Sequence, residues 1–379
     1  MEPTTFGRYE LVSLLSESEL TEVWLARQGG DKLVALRRLN EKLGSDSEQV
    51  DRFLDEARIN ALLHHDHIVP VFELGDVNGR YFLVTEYIEG MSLEVLVYRA
   101  NELRIELPIA VAVALVIQAA EGMHHAHEQR APDGSELGIV HRELAPKNLV
   151  VGYDGVLKIS DFGAAQANGR RAHTTSGPMR GTPTYMSPEQ VTGAPVDRRA
   201  DVFGLGILLW ELLAGRGLFA RATADAIYDA ITAGDVPPPS SVRPDISPAL
   251  DAVVARALAD KPKERYPTSA ALAAALRALD LGSIAAVRGF LDQHFSGGLR
   301  EREVLLLAMT TQREFVVPAF DSLSAVQKPD DAAAFDDGNT VPDRPVPAPP
   351  RVPPRRAWMF VAGAVALGTA IAVALLASH

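Results

Sequence analysis

Apolar and polar residues alternate in short runs along the first quarter of the chain. The runs at 9–15 (YELVSLL), 22–27 (EVWLAR), 33–39 (LVALRRL), 68–75 (IVPVFELG) and 81–88 (YFLVTEYI) have the two-residue period of half-buried strands. Between the third and fourth, Ser47 to Leu63 changes to the spacing of an amphipathic helix, so the expected order is β-β-β-α-β-β. Helical periodicity takes over from Ser92 to Glu128. After a loop containing Pro132, Asp133 and Gly134, two short strands, NLVVG and VLKIS, flank a Tyr153-Asp154-Gly155 turn, and helices dominate again from Asp197 to Leu281. A small antiparallel sheet lobe at 9–90, joined to a mainly helical lobe at 91–281, is an α+β architecture with a cleft between its lobes. Residues 1–8 are expected to form a tail, and helical patterns near 283–294 and 300–310 predict a helical appendage over 282–311.

Beyond residue 311 the pattern changes character. Residues 312–356 are rich in Asp and Pro, a composition that buries little apolar surface and favours disorder or extended polyproline backbone. As a flexible coil this linker spans roughly 40 Å. From Ala357 to Ala377 there are 21 residues without a charge, long enough to cross a bilayer as a transmembrane helix. The alternative, a buried core helix, rarely stays uncharged over such a length. Arg351, Arg355 and Arg356 precede this segment, which by the positive-inside rule puts the folded part in the cytoplasm of a single-pass inner-membrane protein.

Charge and composition narrow the chemistry. A net charge of −12 argues against a nucleic-acid partner, which needs a basic face. The absence of cysteine excludes disulfides, thiolate metal sites and thiol catalysis. The first apolar residues come in short interrupted runs, unlike a signal peptide.

Three motifs carry a specific resemblance: Asp161-Phe162-Gly163, the run Gly181-Thr182-Pro183-Thr184-Tyr185-Met186-Ser187-Pro188-Glu189, and the helix-forming segment DRRADVFGLGILLWELLAG from Asp197. At these separations the chain resembles eukaryotic-type Ser/Thr protein kinases over about residues 9–281, in the manner of bacterial membrane-anchored kinases. The resemblance implies the bilobal kinase fold, protein substrates with Ser or Thr hydroxyls, and ATP with Mg²⁺ as cofactors. It implies that Asp161 and Asn148 hold Mg²⁺, a hard cation suited to oxygen ligands. It also implies that Glu56 fixes the small-lobe helix, and that Ser16, Ser18, Val23, Ala35, Arg37, Glu86 and Ile88 surround the nucleotide, with Thr85 guarding the adenine pocket. By the same resemblance Asp201 braces the catalytic loop, Glu189 and Arg265 form a buried ion pair, and Trp210 belongs to the large-lobe core.

The departures from the family pattern fall on the phosphate side. The glycine-rich loop reads SESELT, with Ser16, Ser18 and Thr21 where glycines let backbone approach phosphate, and Glu19 adds negative charge there. Arg37 replaces a lysine; its planar guanidinium is larger than an ammonium and is expected to lock onto Glu56 and fill phosphate space. The catalytic aspartate is Glu143, one methylene longer, and a shift of about 1 Å costs on the order of 10²-fold in rate. Ala145 stands where many relatives carry a phosphate-binding lysine. Together with the retained structural residues, these changes imply a degraded, pseudokinase-like member with weak or absent phosphotransfer, a scaffold or allosteric partner in signalling. The alternative is a divergent but active Ser/Thr kinase using Glu143. Thr174, Thr175 and Ser176, in the segment resembling an activation loop, are candidate acceptors for another kinase acting in trans, with Arg142 the cation to receive the phosphate. The histidines at 64, 65, 67 and at 124, 125, 127 do not share helix faces at those spacings and are read as structural rather than as a zinc site.

Overall fold

Strand period and side-chain size build the small lobe. The computed structural model describes residues 4–18, 20–29, 32–40, 47–162 and 182–295. Strands β1 (Thr4–Phe6), β2 (Tyr9–Glu17), β3 (Thr21–Gln28) and β4 (Leu33–Leu39) are followed by helix α1 (Ser47–Asn60), then β5 (Val71–Val77) and β6 (Arg80–Glu86). They form one antiparallel sheet in the order β1-β2-β3-β4-β6-β5. The expected tail at 1–8 therefore contributes a strand: Thr4 pairs with Leu11 and Phe6 with Tyr9. The reason is a slot for an aromatic ring, since Phe6 is buried edge-on to Phe82 with ring centroids 5.5 Å apart. Gly7, at φ 58°, lets the chain reverse between β1 and β2.

One face of the sheet buries Val34 and Leu36 with Phe6, Tyr9, Leu11 and Phe82, while Leu39 and Leu83 pack on Phe53 and Ala57 of α1. The register pairs Val23 with Arg37, Leu25 with Ala35 and Ala35 with Thr85. Because side chains alternate along a strand, Val23, Ala35, Arg37 and Thr85 share one face of the sheet.

The large lobe begins with β7 (Gly90–Ser92), α2 (Leu93–Glu102) and α3 (Ile109–His127). A hairpin, β8 (Leu149–Gly152) and β9 (Leu157–Ile159), pairs with β7 and carries the loops on either side of the cleft floor. Then follow α4 (Pro188–Thr192), α5 (Arg199–Ala214), α6 (Ala224–Ala233), α7 (Pro248–Ala257), α8 (Ser269–Arg277) and α9 (Ile284–Phe295). Among the described residues α3 is the helix long and apolar enough to cross a membrane, but most of it is buried in the protein. It is apolar all round because α5, α8, α9 and β9 surround it. Trp210 of α5 is 1% exposed, and its indole N–H donates to the Pro237 carbonyl at 2.7 Å. Gly282 lets the chain pass against α3, where a Cβ would lie 2.7 Å from the Ala114 nitrogen. The second helical pattern at 300–310, the linker at 312–356, the membrane segment at 357–377 and Thr174, Thr175 and Ser176 lie outside the described residues, as does Glu19.

Candidate active site

The face of β4 that carries Arg37 looks toward α1, where Glu56 falls one turn beyond Phe53. The Arg37 guanidinium forms an ion pair with Glu56, lies 3.6 Å from Asp161 Oδ1, and stacks over the Phe53 ring at 5.4 Å. One cation is thus shared by two carboxylates from different parts of the chain. Burial pushes the Glu56 carboxyl up to about 7, Arg37 opposes the rise and Asp161 adds to it. Burial pulls Arg37 down, but Glu56 and Asp161 outweigh it and hold the guanidinium above its ordinary value. Among the described residues Arg37 Nε has no hydrogen-bond partner.

Asp161 follows β9 at φ 59°, in the left-handed region that non-glycine residues seldom occupy. Its neighbour Phe162 is buried under His141, ring centroids 4.7 Å apart, which anchors the turn and leaves the Asp161 side chain 44% exposed to the cleft. Backbone strain of this kind persists where surrounding structure over-determines it and is concentrated at functional sites.

The catalytic-loop residues are organised by Asp201, buried at the start of α5. Its carboxylate accepts the backbone N–H of His141 and of Arg142 and the His127 Nε2–H, each at 2.8 Å. Burial would raise this carboxyl; the His127 contact and the Arg142 N–H outweigh it and hold it below the usual range. Arg142 is thereby kept at φ 69°. Burial lowers His141, whose neutral Nδ1 accepts the Glu143 N–H at 3.3 Å. Asn148 Nδ2 donates to the Glu143 carbonyl at 3.0 Å, and the Asn148 carbonyl accepts Ser160 N–H at 2.8 Å, tying the loop to the strand end before Asp161.

Glu143 Oε1 accepts the Thr182 hydroxyl at 3.1 Å and lies 2.7 Å from Lys147 Nζ. Lys147 was overlooked in the sequence, because its contact with Glu143 is made by the 3-10 turn Pro146–Asn148 and no helical spacing signals it.

The loop between β2 and β3 is a tied turn. Ser18 Oγ accepts the N–H of Leu20 at 3.3 Å and of Thr21 at 3.0 Å, and Asn40 Nδ2 donates to the Ser18 carbonyl at 2.8 Å. Ser16 and Ser18 are exposed. A serine side chain that satisfies local backbone N–H groups competes with any phosphate for them. At the hinge, the Glu86 N–H is spent on the Pro70 carbonyl at 3.1 Å and its carboxylate pairs with Lys158, a partner the sequence did not indicate. Ile88 is half-buried beyond it.

The structure therefore brings Val23, Ala35, Arg37 and Glu56 to one side of the cleft and Glu143, Asn148 and Asp161 to the other. The donor set suits a hard cation: Asn148 Nδ2 is committed to Glu143, which leaves the amide oxygen as the atom able to ligate, and Asp161 offers a half-exposed carboxylate. Arg37 is thus the cation that faces both carboxylates of the cluster, Glu56 and Asp161.

Of the other sequence candidates, His65 and His125 meet with ring centroids 5.0 Å apart, in a cleft of about 530 Å³ shared with His67, Glu121 and Arg277. Among the described residues no group of three His, Cys, Asp or Glu side chains has the arrangement to hold a metal. Glu189 and Arg265 form a bidentate pair at 2.6 and 2.8 Å.

Comparison with known proteins accords with this geometry. Tyrosine-protein kinase MasK of Myxococcus xanthus is 38% identical over 296 residues, 77% of this chain and 44% of that protein. Serine/threonine-protein kinase PknH of Mycobacterium tuberculosis is 33% identical over 271 residues, 71% of this chain and 41% of its own length. The chain thus spans less than half the length of these relatives. The crystal structure of the PknI kinase domain of Mycobacterium tuberculosis superposes with a TM-score of 0.54 at 28% identity, covering 73% of this chain and 98% of that one. Residues 9–276 match the protein kinase domain as a family, and the chain belongs to it.

Proposed function

We propose that this chain is a membrane-tethered, Ser/Thr-protein-kinase-like signalling protein in which phosphotransfer is weak or absent, acting as a scaffold or allosteric partner of other proteins. The observation that carries the proposal is the Arg37 guanidinium held between Glu56 and Asp161. A planar group of that size, committed to both carboxylates, stands where nucleotide phosphates and Mg²⁺ would have to settle. The tied turn at Ser18 removes freedom from the loop above them. Uncharged residues 357–377 would hold the domain to the inner membrane on its cytoplasmic side, at the end of the 312–356 linker.

Where Mg-ATP does bind, Asp161 and Asn148 would hold the metal, which neutralises charge on the transferred phosphate. Glu143 would accept the proton of the acceptor hydroxyl, and Asp201 would hold the loop that positions it. A second reading, an active kinase using Glu143 as its base, is favoured by the Thr182 hydroxyl already hydrogen-bonded to that carboxylate. The names of the relatives divide between tyrosine and Ser/Thr acceptors, so the acceptor class is open to both. Candidate phosphate acceptors Thr174, Thr175 and Ser176 would be modified by another kinase in trans.

The full chain in detergent, incubated with Mg-ATP labelled at the γ-phosphate and a generic protein substrate, tests the proposal. Labelling no greater than that of Asp161→Ala is expected. Robust labelling lost in Asp161→Ala would replace this reading with the active one. Tethering is tested separately, by extraction of native membranes with carbonate: the chain should remain in the pellet, and a variant ending at residue 356 should not.

A further inference from the structure

The loop after α1 is pressed against the large lobe where α3 has no side chain: a Cβ on Gly122 would lie 2.6 Å from the His67 carbonyl oxygen. The same loop is bound to the strand that delivers Asp161. The His67 carbonyl accepts the Ile159 N–H at 3.0 Å, the Val69 N–H donates to the Ile159 carbonyl at 2.9 Å, and His67 Nδ1–H donates to the Leu157 carbonyl at 2.9 Å. Ile159 ends β9, two residues before Asp161.

Two imidazoles close this joint, and each serves as a hydrogen-bond acceptor. His65 Nδ1 accepts the backbone N–H of His67 at 3.1 Å, which requires that this nitrogen carry no proton. His125 Nε2 accepts from the Gln129 amide nitrogen at 3.0 Å, and that nitrogen also donates to the His125 carbonyl at 3.2 Å. The two rings stand with centroids 5.0 Å apart at the edge of the histidine-lined cleft. An imidazolium has an N–H on both nitrogens and accepts nothing, so a proton on His65 sets N–H against N–H at His67, and a charge on His125 would repel it further.

We propose that His65 and His125 form a proton-operated catch between the lobes: with both rings neutral the 64–69 segment is held to α3 and β9, and protonation of His65 releases it and loosens the end of β9 that positions Asp161. Burial draws His65 below its ordinary value, His125 and His67 add to the fall, and Asp66 and Glu121 oppose it. Burial draws His125 down as well, and His64 and His124 add to that. The glutamates on this side of α3 already face cations. Glu121 pairs with Arg277 of α8 and lies 3.6 Å from His67 Nε2, and Glu128 pairs with Arg198 and lies 4.0 Å from His124 Nδ1. A depressed folded-state value means that the neutral rings favour folding; the contribution is fully present above about 6.5 and is lost as pH falls below it.

Amide hydrogen exchange of the full chain in detergent, read by mass spectrometry at about pH 7.5 and about pH 5.5 and corrected for intrinsic exchange rates, tests the catch. In wild type, acidification should lower protection of residues 64–70 and 157–160 on the order of tenfold more than that of α5. His65→Asn keeps an acceptor in place of Nδ1 without a titratable ring and should abolish the difference, whereas His125→Phe keeps a ring against His65 without its charge and should reduce it. An identical loss in wild type and His65→Asn would overturn the proposal, and a loss in His125→Phe equal to that of wild type would strike His125 from the catch. So would no difference between the joint and α5 in wild type overturn it, a result that needs no variant to fold. Exchange needs no nucleotide, so the catch is tested even where Mg-ATP fails to bind; its consequence for metal at Asp161 rests on the proposed function.

Discussion

A buried arginine and a partly exposed one in this chain meet carboxylates in opposite ways. In the large lobe Arg265 is fully satisfied: Nη1 and Nη2 pair with both oxygens of Glu189, and the remaining donors reach the carbonyls of Ala259, Arg199 and Asp260. In the cleft Arg37 is divided between Glu56 and Asp161 and, among the described residues, leaves Nε without a partner. The first arrangement is complete in itself and serves the fold. The second is incomplete, strained at Asp161 and open to the cleft, as expected of a site adapted to a ligand that its own arginine obstructs.

That contrast makes predictions of graded size. Arg265→Ala leaves Glu189 buried and unpaired, and should destabilise by about 3–5 kcal/mol, seen by calorimetry as a fall in Tm on the order of 10 °C; Arg37→Ala, whose partner Glu56 lies at about 7 and can take up a proton, should change stability far less. A smaller effect belongs to the base. In a background carrying Ser16→Gly, Ser18→Gly, Thr21→Gly and Arg37→Lys, adding Glu143→Asp should raise kcat on the order of 10²-fold with little change in the KM for ATP, because the base meets the acceptor and not the nucleotide. Robust turnover from Glu143→Asp alone would show that the loop is not an obstacle. The loop substitutions by themselves, which free the backbone N–H groups of Leu20 and Thr21 from Ser18, should tighten Mg-ATP binding by roughly 1 kcal/mol in titration.

How far the site was legible depended on whether a residue's partner is near in sequence or set by packing. The lobes and the cleft were readable from strand and helix period, whereas the Glu189–Arg265 pair, 76 residues apart, and the Arg37–Glu56 contact were readable only through the resemblance to protein kinases. The reach of Arg37 to Asp161 was not, since it depends on how far β4 and the turn after β9 approach each other. Strand β1 was missed because three residues carry no periodicity, and only the slot beside Phe82 gives Phe6 a reason to pair. His65 and His125 meet through the packing of α3 against the loop after α1, which no spacing reveals.

The smallest predicted effect concerns pH. Burial pushes the Glu211 carboxyl up to about 7, while the Tyr185 hydroxyl and the Leu218 N–H resist the rise. A raised folded-state value means the protonated form is favoured by folding, so this stability is fully present below about 4.5 and is lost as pH rises through 7. Wild type should lose on the order of 1 kcal/mol relative to Glu211→Gln between pH 5 and pH 7.5, read as a changing separation between their Tm curves. Parallel curves would assign the pH dependence to Glu56 instead.

The most direct test of obstruction by Arg37 is a single pair of titrations, Mg-ATP into the full chain and into Arg37→Lys. A lysine keeps the charge near Glu56 and vacates the planar volume beside Asp161, so binding on the order of tenfold tighter in the variant is expected. Equal or weaker binding by Arg37→Lys would mean that the guanidinium serves the nucleotide rather than excluding it, and would contradict the central claim.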